Sequence, residues 1–166
     1  MSSLIDPSTS APSLAPPSDA NRIDVRGPRF GAALTTVVLA IALIGVGTAL
    51  GAIAIATQTV VFALGALVGL QAQPYGLLFR RVVRPRLGPT TEWEDEAPPR
   101  FAQAVGLVFV LVADAAVVVG ATPIATVAIA GALAAAFLNT AFGYCLGCEF
   151  YLIAKRLTSR RTPAHS

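Results

Sequence analysis

Apolar residues dominate two long stretches of the chain, residues 30–79 and 101–148, and Asp114 is the one charged residue in either. A helix that crosses the hydrocarbon of a bilayer needs about 20 apolar residues. Each stretch therefore holds two crossings, and the pattern predicts four transmembrane helices at about 30–49, 52–71, 101–120 and 124–146. The joins "TALGAIA" (residues 48–54) and "VVGATPIA" (residues 118–125) are short, uncharged and carry Gly or Pro, which stop helices. The chain reads as an all-α polytopic membrane protein built from two tight hairpins.

Composition agrees. The 166 residues are 55% hydrophobic and 13% charged, and the mean hydropathy is +0.69, more apolar surface than a soluble domain of this length hides. The opening "MSSLIDPSTSAPSLAPPSDAN" is rich in Ser, Pro and Ala and lacks the basic start and apolar block of a signal peptide. Residues 1–25 are expected to be a disordered tail, residues 26–157 the four-helix membrane domain and residues 158–166 a polar tail.

Charge then orients the hairpins. All 12 Lys and Arg avoid the two tight turns: they precede the first helix (Arg22, Arg26, Arg29), lie between the hairpins (Arg80 to Arg100), or follow the last helix (Lys155, Arg156, Arg160, Arg161). Basic residues collect on the cytoplasmic side. Both termini and the middle segment are therefore expected in the cytoplasm, with the protein multi-pass in the plasma membrane. The net charge of +3 belongs to this topology, and no nucleic-acid motif accompanies it.

The two hairpins echo each other. "PRFGA" at Pro28 and "PRFAQ" at Pro99 enter the first and third helices, and at the same offset Phe79 meets Phe150, Val82 meets Ile153 and Arg84 meets Lys155. These matches suggest parallel copies of a two-helix unit related by an axis along the membrane normal. Between them "YGLLFRRVVRPRLG" alternates apolar residues with arginines, the composition of a short basic helix lying among lipid headgroups. Trp93 in the acidic segment that follows is either an interface anchor or an exposed loop residue.

Few side chains inside the helices carry chemistry. Gln58 and Asp114 sit at similar depth from the outer turns; a polar pocket with Thr57 or Thr59 is one reading, and a protonated Asp114 hydrogen-bonded for packing is the favoured one. Asn139 lies deeper, toward the cytoplasm, and reads as a hydrogen-bonding contact between helices. The only two cysteines, Cys145 and Cys148, arrive at the cytoplasmic end of the fourth helix. Three residues apart on a helix, their thiols share a face, and Gly143 and Gly147 loosen the backbone around them. Dithiol chemistry, half of an intersubunit zinc site, and small apolar filling of a helix end all fit that spacing.

Three motifs, "RGPRFGA" at Arg26, "APPRFAQAVGL" at Ala97 and above all "LNTAFGYCLGCEFY" at Leu138, resemble the actinobacterial membrane family known as domain of unknown function 4395 over about residues 25–157. The resemblance implies an integral membrane protein in which Cys145 and Cys148 belong to a family signature. It also implies a thioredoxin-like or sulfurtransferase partner, and no established activity or cofactor. With it, the favoured function is a cytoplasmic-face dithiol for thiol–disulfide exchange or sulfur handling, in which one cysteine attacks and the other resolves. Lys155 and Arg156 favour a thiolate there and Glu149 opposes it. A small transporter or channel subunit, in a homo-oligomer and carrying a sulfur-containing anion, is the competing class, and a structural membrane subunit the third. A lone His165 and the lack of a phosphate loop or a Ser–His–Asp set argue against soluble catalysis.

The orientation is testable in intact cells. Single cysteines introduced near Gly51 and Thr122 in a background lacking Cys145 and Cys148 should react with an impermeant thiol reagent from outside. Tags at both termini should stay protected, and external labelling of either terminus would reverse the topology.

Overall fold

A computed structural model describes residues 22–159. Along the chain come β1 (Arg22–Asp24), α1 (Arg26–Ile44), α2 (Ala49–Leu67), α3 (Pro74–Leu78), a π-helical turn (Phe79–Val83), α4 (Arg84–Leu87), β2 (Trp93–Asp95), α5 (Ala97–Val118), α6 (Thr122–Phe142) and α7 (Leu146–Ser159). Four of these, α1, α2, α5 and α6, are long and apolar enough to cross a membrane. Outward residues such as Val37, Ile53, Val108 and Val127 are exposed, as suits helices whose outer faces meet acyl chains.

The ends of the helices differ from those read off hydropathy, because apolar runs mark the hydrocarbon and not the hydrogen-bonded helix. Helix α1 begins at Arg26, inside the basic flank, and α5 begins at Ala97 with Pro98 and Pro99 in its first turn, where a missing N–H costs nothing. At its far end α6 stops at Phe142, short of the expected residue 146, because Gly143 adopts φ +68° and closes the helix. The cysteines thus leave the fourth helix, and an additional 14-residue helix, α7, begins between them at Leu146. Nor is the N-terminal tail unstructured through residue 25: β1 pairs antiparallel with β2, Arg22 opposite Asp95. Residues 1–21 and 160–166, which hold the rest of the expected tails together with Arg160, Arg161 and His165, lie outside the described residues.

Each turn inside a hairpin has its own chemistry. In the first, Thr48 caps α2, accepting from the Gly51 amide at 3.3 Å while its hydroxyl donates to the Gly45 carbonyl at 2.7 Å. In the second, Gly120 takes φ +75° and Pro123 sits in the first turn of α6. Helix α1 packs on α2 and α6, and α5 packs on the same two, so the four long helices close into a ring with α1 and α5 on one diagonal. Fully buried Leu39, Ile55, Val110 and Ile129 fill its centre.

Two arginines tie the hairpins together. Arg29, near the start of α1, points its guanidinium at the C-terminal end of α6, with Nη2 3.5 Å from the Thr140 carbonyl. Arg100, near the start of α5, donates to the Ala66 and Leu67 carbonyls at the end of α2 at 3.0 and 3.2 Å. The last carbonyls of a helix have no partner within it, and each "PRF" arginine supplies one to the opposite hairpin. All four of these helix ends therefore lie on one side of the bundle. On that side Glu96 is buried and accepts from the Leu70 amide at 2.6 Å. Asp24 pairs with Arg26 at 2.9 Å, and the hydrogen bonds from Arg26 hold the Asp24 carboxyl below its usual range. That pair stabilises the fold above the ordinary carboxylate pKa, and its contribution fades as pH falls through the lowered one.

Arg100→Leu should remove about 1.5–3 kcal/mol of stability, the usual cost of losing a charge-assisted hydrogen bond, while Arg100→Lys should retain part of it. Thermal unfolding in detergent micelles measures both. An unchanged midpoint for Arg100→Leu would mean that the α2 carbonyls need no protein partner.

Candidate functional site

The cysteines straddle the start of α7: Cys145 immediately precedes it and Cys148 is its third residue. After Gly143 the chain runs through Tyr144 to Cys145, whose carbonyl accepts from the Glu149 amide at 3.1 Å and so opens the first turn of α7. Cys145 and Cys148 form a disulfide, with Cα atoms 5.2 Å apart. The Cys148 amide also points at Cys145 Sγ at 3.4 Å. Both residues are half-buried. Sequence reading places the pair on one continuous helix; the structure places it across a helix start. There the free N–H groups and the helix dipole favour negative charge on sulfur whenever the bond is reduced.

Helix α7 is held by its packing on α5. Gly147 lies so close to Ala102 that a Cβ on it would come within 2.6 Å of the Ala102 Cα. Beyond it the rings of Phe101 and Tyr151 meet at 5.8 Å. The first hairpin has the same arrangement, with Phe30 against Phe79, also at 5.8 Å. Phe150, beside Tyr151, is 63% exposed. Gly147 is therefore a close-approach residue, and the loosening of the backbone comes from Gly143 alone.

Under the disulfide, among α1, α5, α6 and α7, lies a cavity of about 550 Å³ whose lining includes Cys145, Cys148, Asn139, Gln103, Arg29 and Glu149. Of the expected site residues, this space brings together the two cysteines and Asn139. The bond joining α1 to α6 near Asn139 is instead made by Thr36 and Thr140, whose hydroxyls are 3.4 Å apart. Arg29 and Gln103 are additions that sequence reading missed as site residues. Their signal was the "PRF" repeat, which marked the entries to the first and third helices without saying what those entries face. Lys155 and Arg156 lie about 10 Å or more beyond Cys148 by helix rise, and among the described residues the cation lining the dithiol cavity is Arg29. Its other charges are the carboxylates of Glu94 and Glu149, and burial pushes the Glu94 carboxyl up.

Gln58 and Asp114 do not share a pocket. Gln58 is fully buried, donates to the Thr35 hydroxyl at 3.2 Å and accepts from the Tyr75 hydroxyl at 3.2 Å. Asp114 accepts from the Thr59 hydroxyl at 2.7 Å and ties α5 to α2. Thr57 turns back to the Ile53 carbonyl at 2.7 Å. Equal depth brings two residues to one level, but neighbours on a helix point about 100° apart, so Gln58 and Thr59 meet different partners. Among the described residues no group of three or more His, Cys, Asp or Glu is placed to hold a metal ion.

Gly147→Val should force α7 off α5 at a cost of about 1–3 kcal/mol, typical of overpacking, and should expose the segment from Tyr144 to Cys148 to protease. Limited proteolysis beside thermal unfolding checks this. Unaltered cleavage would mean that α7 is not anchored through Gly147.

A family model described as a domain of unknown function (DUF4395) matches residues 23–156. No curated protein matches the chain, and no solved structure does.

Proposed function

Because the chain belongs to the DUF4395 family, whose description assigns no activity, we propose from the geometry that it is a multi-pass membrane dithiol protein. Cys145 and Cys148 exchange electrons or sulfur with a soluble thioredoxin-like or sulfurtransferase partner. The observation that carries this reading is the bonded pair at the start of α7, on the wall of a cavity. Half-buried sulfurs beside a helix N-terminus suit nucleophilic exchange better than apolar filling. One cysteine attacks the partner's disulfide or persulfide, and the other resolves the mixed species.

In this reading both termini and the dithiol face the cytoplasm of a plasma-membrane protein, supported by the one-sided arginines. The segment from Pro74 to Leu87 lies in the headgroup layer, supported by exposed Arg80, Arg81 and Arg86 alternating with exposed Leu78, Val82 and Leu87. The two hairpins are parallel copies. Supporting this, the buried positions Leu39, Ala42 and Ala54 recur as buried Val110, Ala113 and Ala125 at the "PRF" offset, and Arg29 and Arg100 perform the same capping.

Transport of a sulfur-containing anion, alone or in a homo-oligomer, has the cavity in its favour. Arg29 shares the cavity walls with Glu149 and Glu94, so no net positive charge is left for an anion, and the fully buried core fills the bundle beyond it.

Mass spectrometry of thiol state in native membranes tests the dithiol. The pair should cycle between reduced and disulfide or persulfide forms on addition of an oxidant or thiosulfate. Both Cys145→Ser and Cys148→Ser should abolish the cycle. Zinc bound in proportion to protein and lost in both variants would replace this reading with an intersubunit metal site; permanently free thiols would end it.

A further inference from the structure

The two hairpins use the same scaffold position differently. In the first, the segment after α2 turns inward: Gln73 is only 3% exposed and the Tyr75 hydroxyl reaches Gln58 in the centre of the bundle. In the second, the corresponding segment after α6 turns outward. Tyr144, which takes the place of Gln73, is 48% exposed, and the space behind it is the cavity under the disulfide. Cys145 and Cys148 stand where the first hairpin has Pro74 and Leu77. The half that carries the thiols is the half left unfilled.

The lining says what the space is built to hold. Its volume of about 550 Å³ falls within the range of about 300–1,000 Å³ usual for small-molecule sites. Phe62, Phe109, Ala132 and Ala135 give it apolar walls, and Gln103 and Asn139 are the amides along it. Gln103 Oε1 is buried with no hydrogen-bond partner among the described residues. The space lies between helices able to span a bilayer, and its ionisable lining groups are Arg29, Glu94 and Glu149, which leave no net positive charge to hold an anion. An apolar, membrane-dissolved molecule with hydrogen-bonding oxygens fits such walls. Dithiol chemistry narrows it further, since making or breaking the disulfide moves two electrons and two protons.

We propose that the cavity binds a membrane quinone, which is the electron-transfer partner of Cys145 and Cys148 from the lipid side. The ring packs against the aromatic and alanine walls; the quinone carbonyl oxygens accept from the amide nitrogens of Gln103 and Asn139, and a quinol hydroxyl donates to the unpartnered Gln103 Oε1. In the reaction the two S–H bonds break and the S–S bond forms. Two electrons and two protons pass to the quinone, whose carbonyl oxygens become the hydroxyls of a quinol; in reverse, a quinol reduces the disulfide. This inference rests on the dithiol reading above and extends it by naming the second substrate.

The test uses the full chain, purified in detergent, reduced and freed of reductant. Decylubiquinone is the probe, because its ring positions are all substituted and thiols do not add to it. Disulfide and quinol should appear in equal amounts. Ala135→Leu, which fills the cavity, and Asn139→Leu, which removes an amide, should each slow this reaction at least tenfold while diamide, a small soluble oxidant, still closes the disulfide at the wild-type rate. Closure of the wild-type pair by diamide but not by the quinone would overturn the quinone site and leave the dithiol reading standing. Failure of both oxidants would overturn the dithiol reading as well. Equal quinone rates in the wild type and both variants would place the reaction at the surface and refute the cavity.

Discussion

A helix that ends at a membrane surface leaves carbonyls without partners where water is scarce and the dielectric is low. In this bundle two of the four long helices solve that problem with an arginine from the other hairpin. Arg100 reaches the carbonyls of Ala66 and Leu67, and Arg29 reaches that of Thr140. Each arginine sits in the first turns of a helix whose proline fixes the start. The same few residues thus begin one helix, end another and carry the charge that keeps this side at the membrane surface. Crossing between hairpins, the two contacts turn a pair of hairpins into a closed ring.

Ending α6 in this way releases the next segment. Gly143, whose left-handed conformation lies close to the Arg29 guanidinium, turns the chain away so that Cys145 and Cys148 form the start of a new helix. Gly147 then lets α7 press against Ala102 of α5. In the first hairpin the equivalent turn follows Gly69, with φ +126°, and is steadied by Glu96. Gln73 drops into the bundle there beside Gly65, where a Cβ would stand only 2.6 Å from its Oε1. A similar backbone solution fills one side of the bundle and leaves a cavity in the other.

Polar groups between the helices work in pairs. Gln58 is satisfied at both ends of its amide by Thr35 and Tyr75, and Asp114 by Thr59. Unpaired, each would cost about 1–3 kcal/mol or more; paired, they fix which helix faces meet, which apolar contact between helices specifies poorly in lipid.

Four helices long and apolar enough to cross a membrane, and the clustering of arginine at their ends, were legible in the sequence, because hydrophobic length and charge are properties of local stretches. The sequence also marked Cys145 and Cys148, since two thiols in a chain with so few reactive groups stand out without any fold. Tertiary structure decided what those residues face. That Gln58 and Asp114 belong to different contacts depends on which neighbour each helix face meets. That the cysteines flank a helix start depends on Gly143 adopting φ +68°, which hydropathy does not register. That Arg29, Gln103 and Asn139 line one cavity with the cysteines depends on α1, α5 and α6 converging from opposite ends of the chain. Such contacts join residues more than a hundred positions apart, as Arg29 and Thr140 show, and only the closed ring brings them within reach.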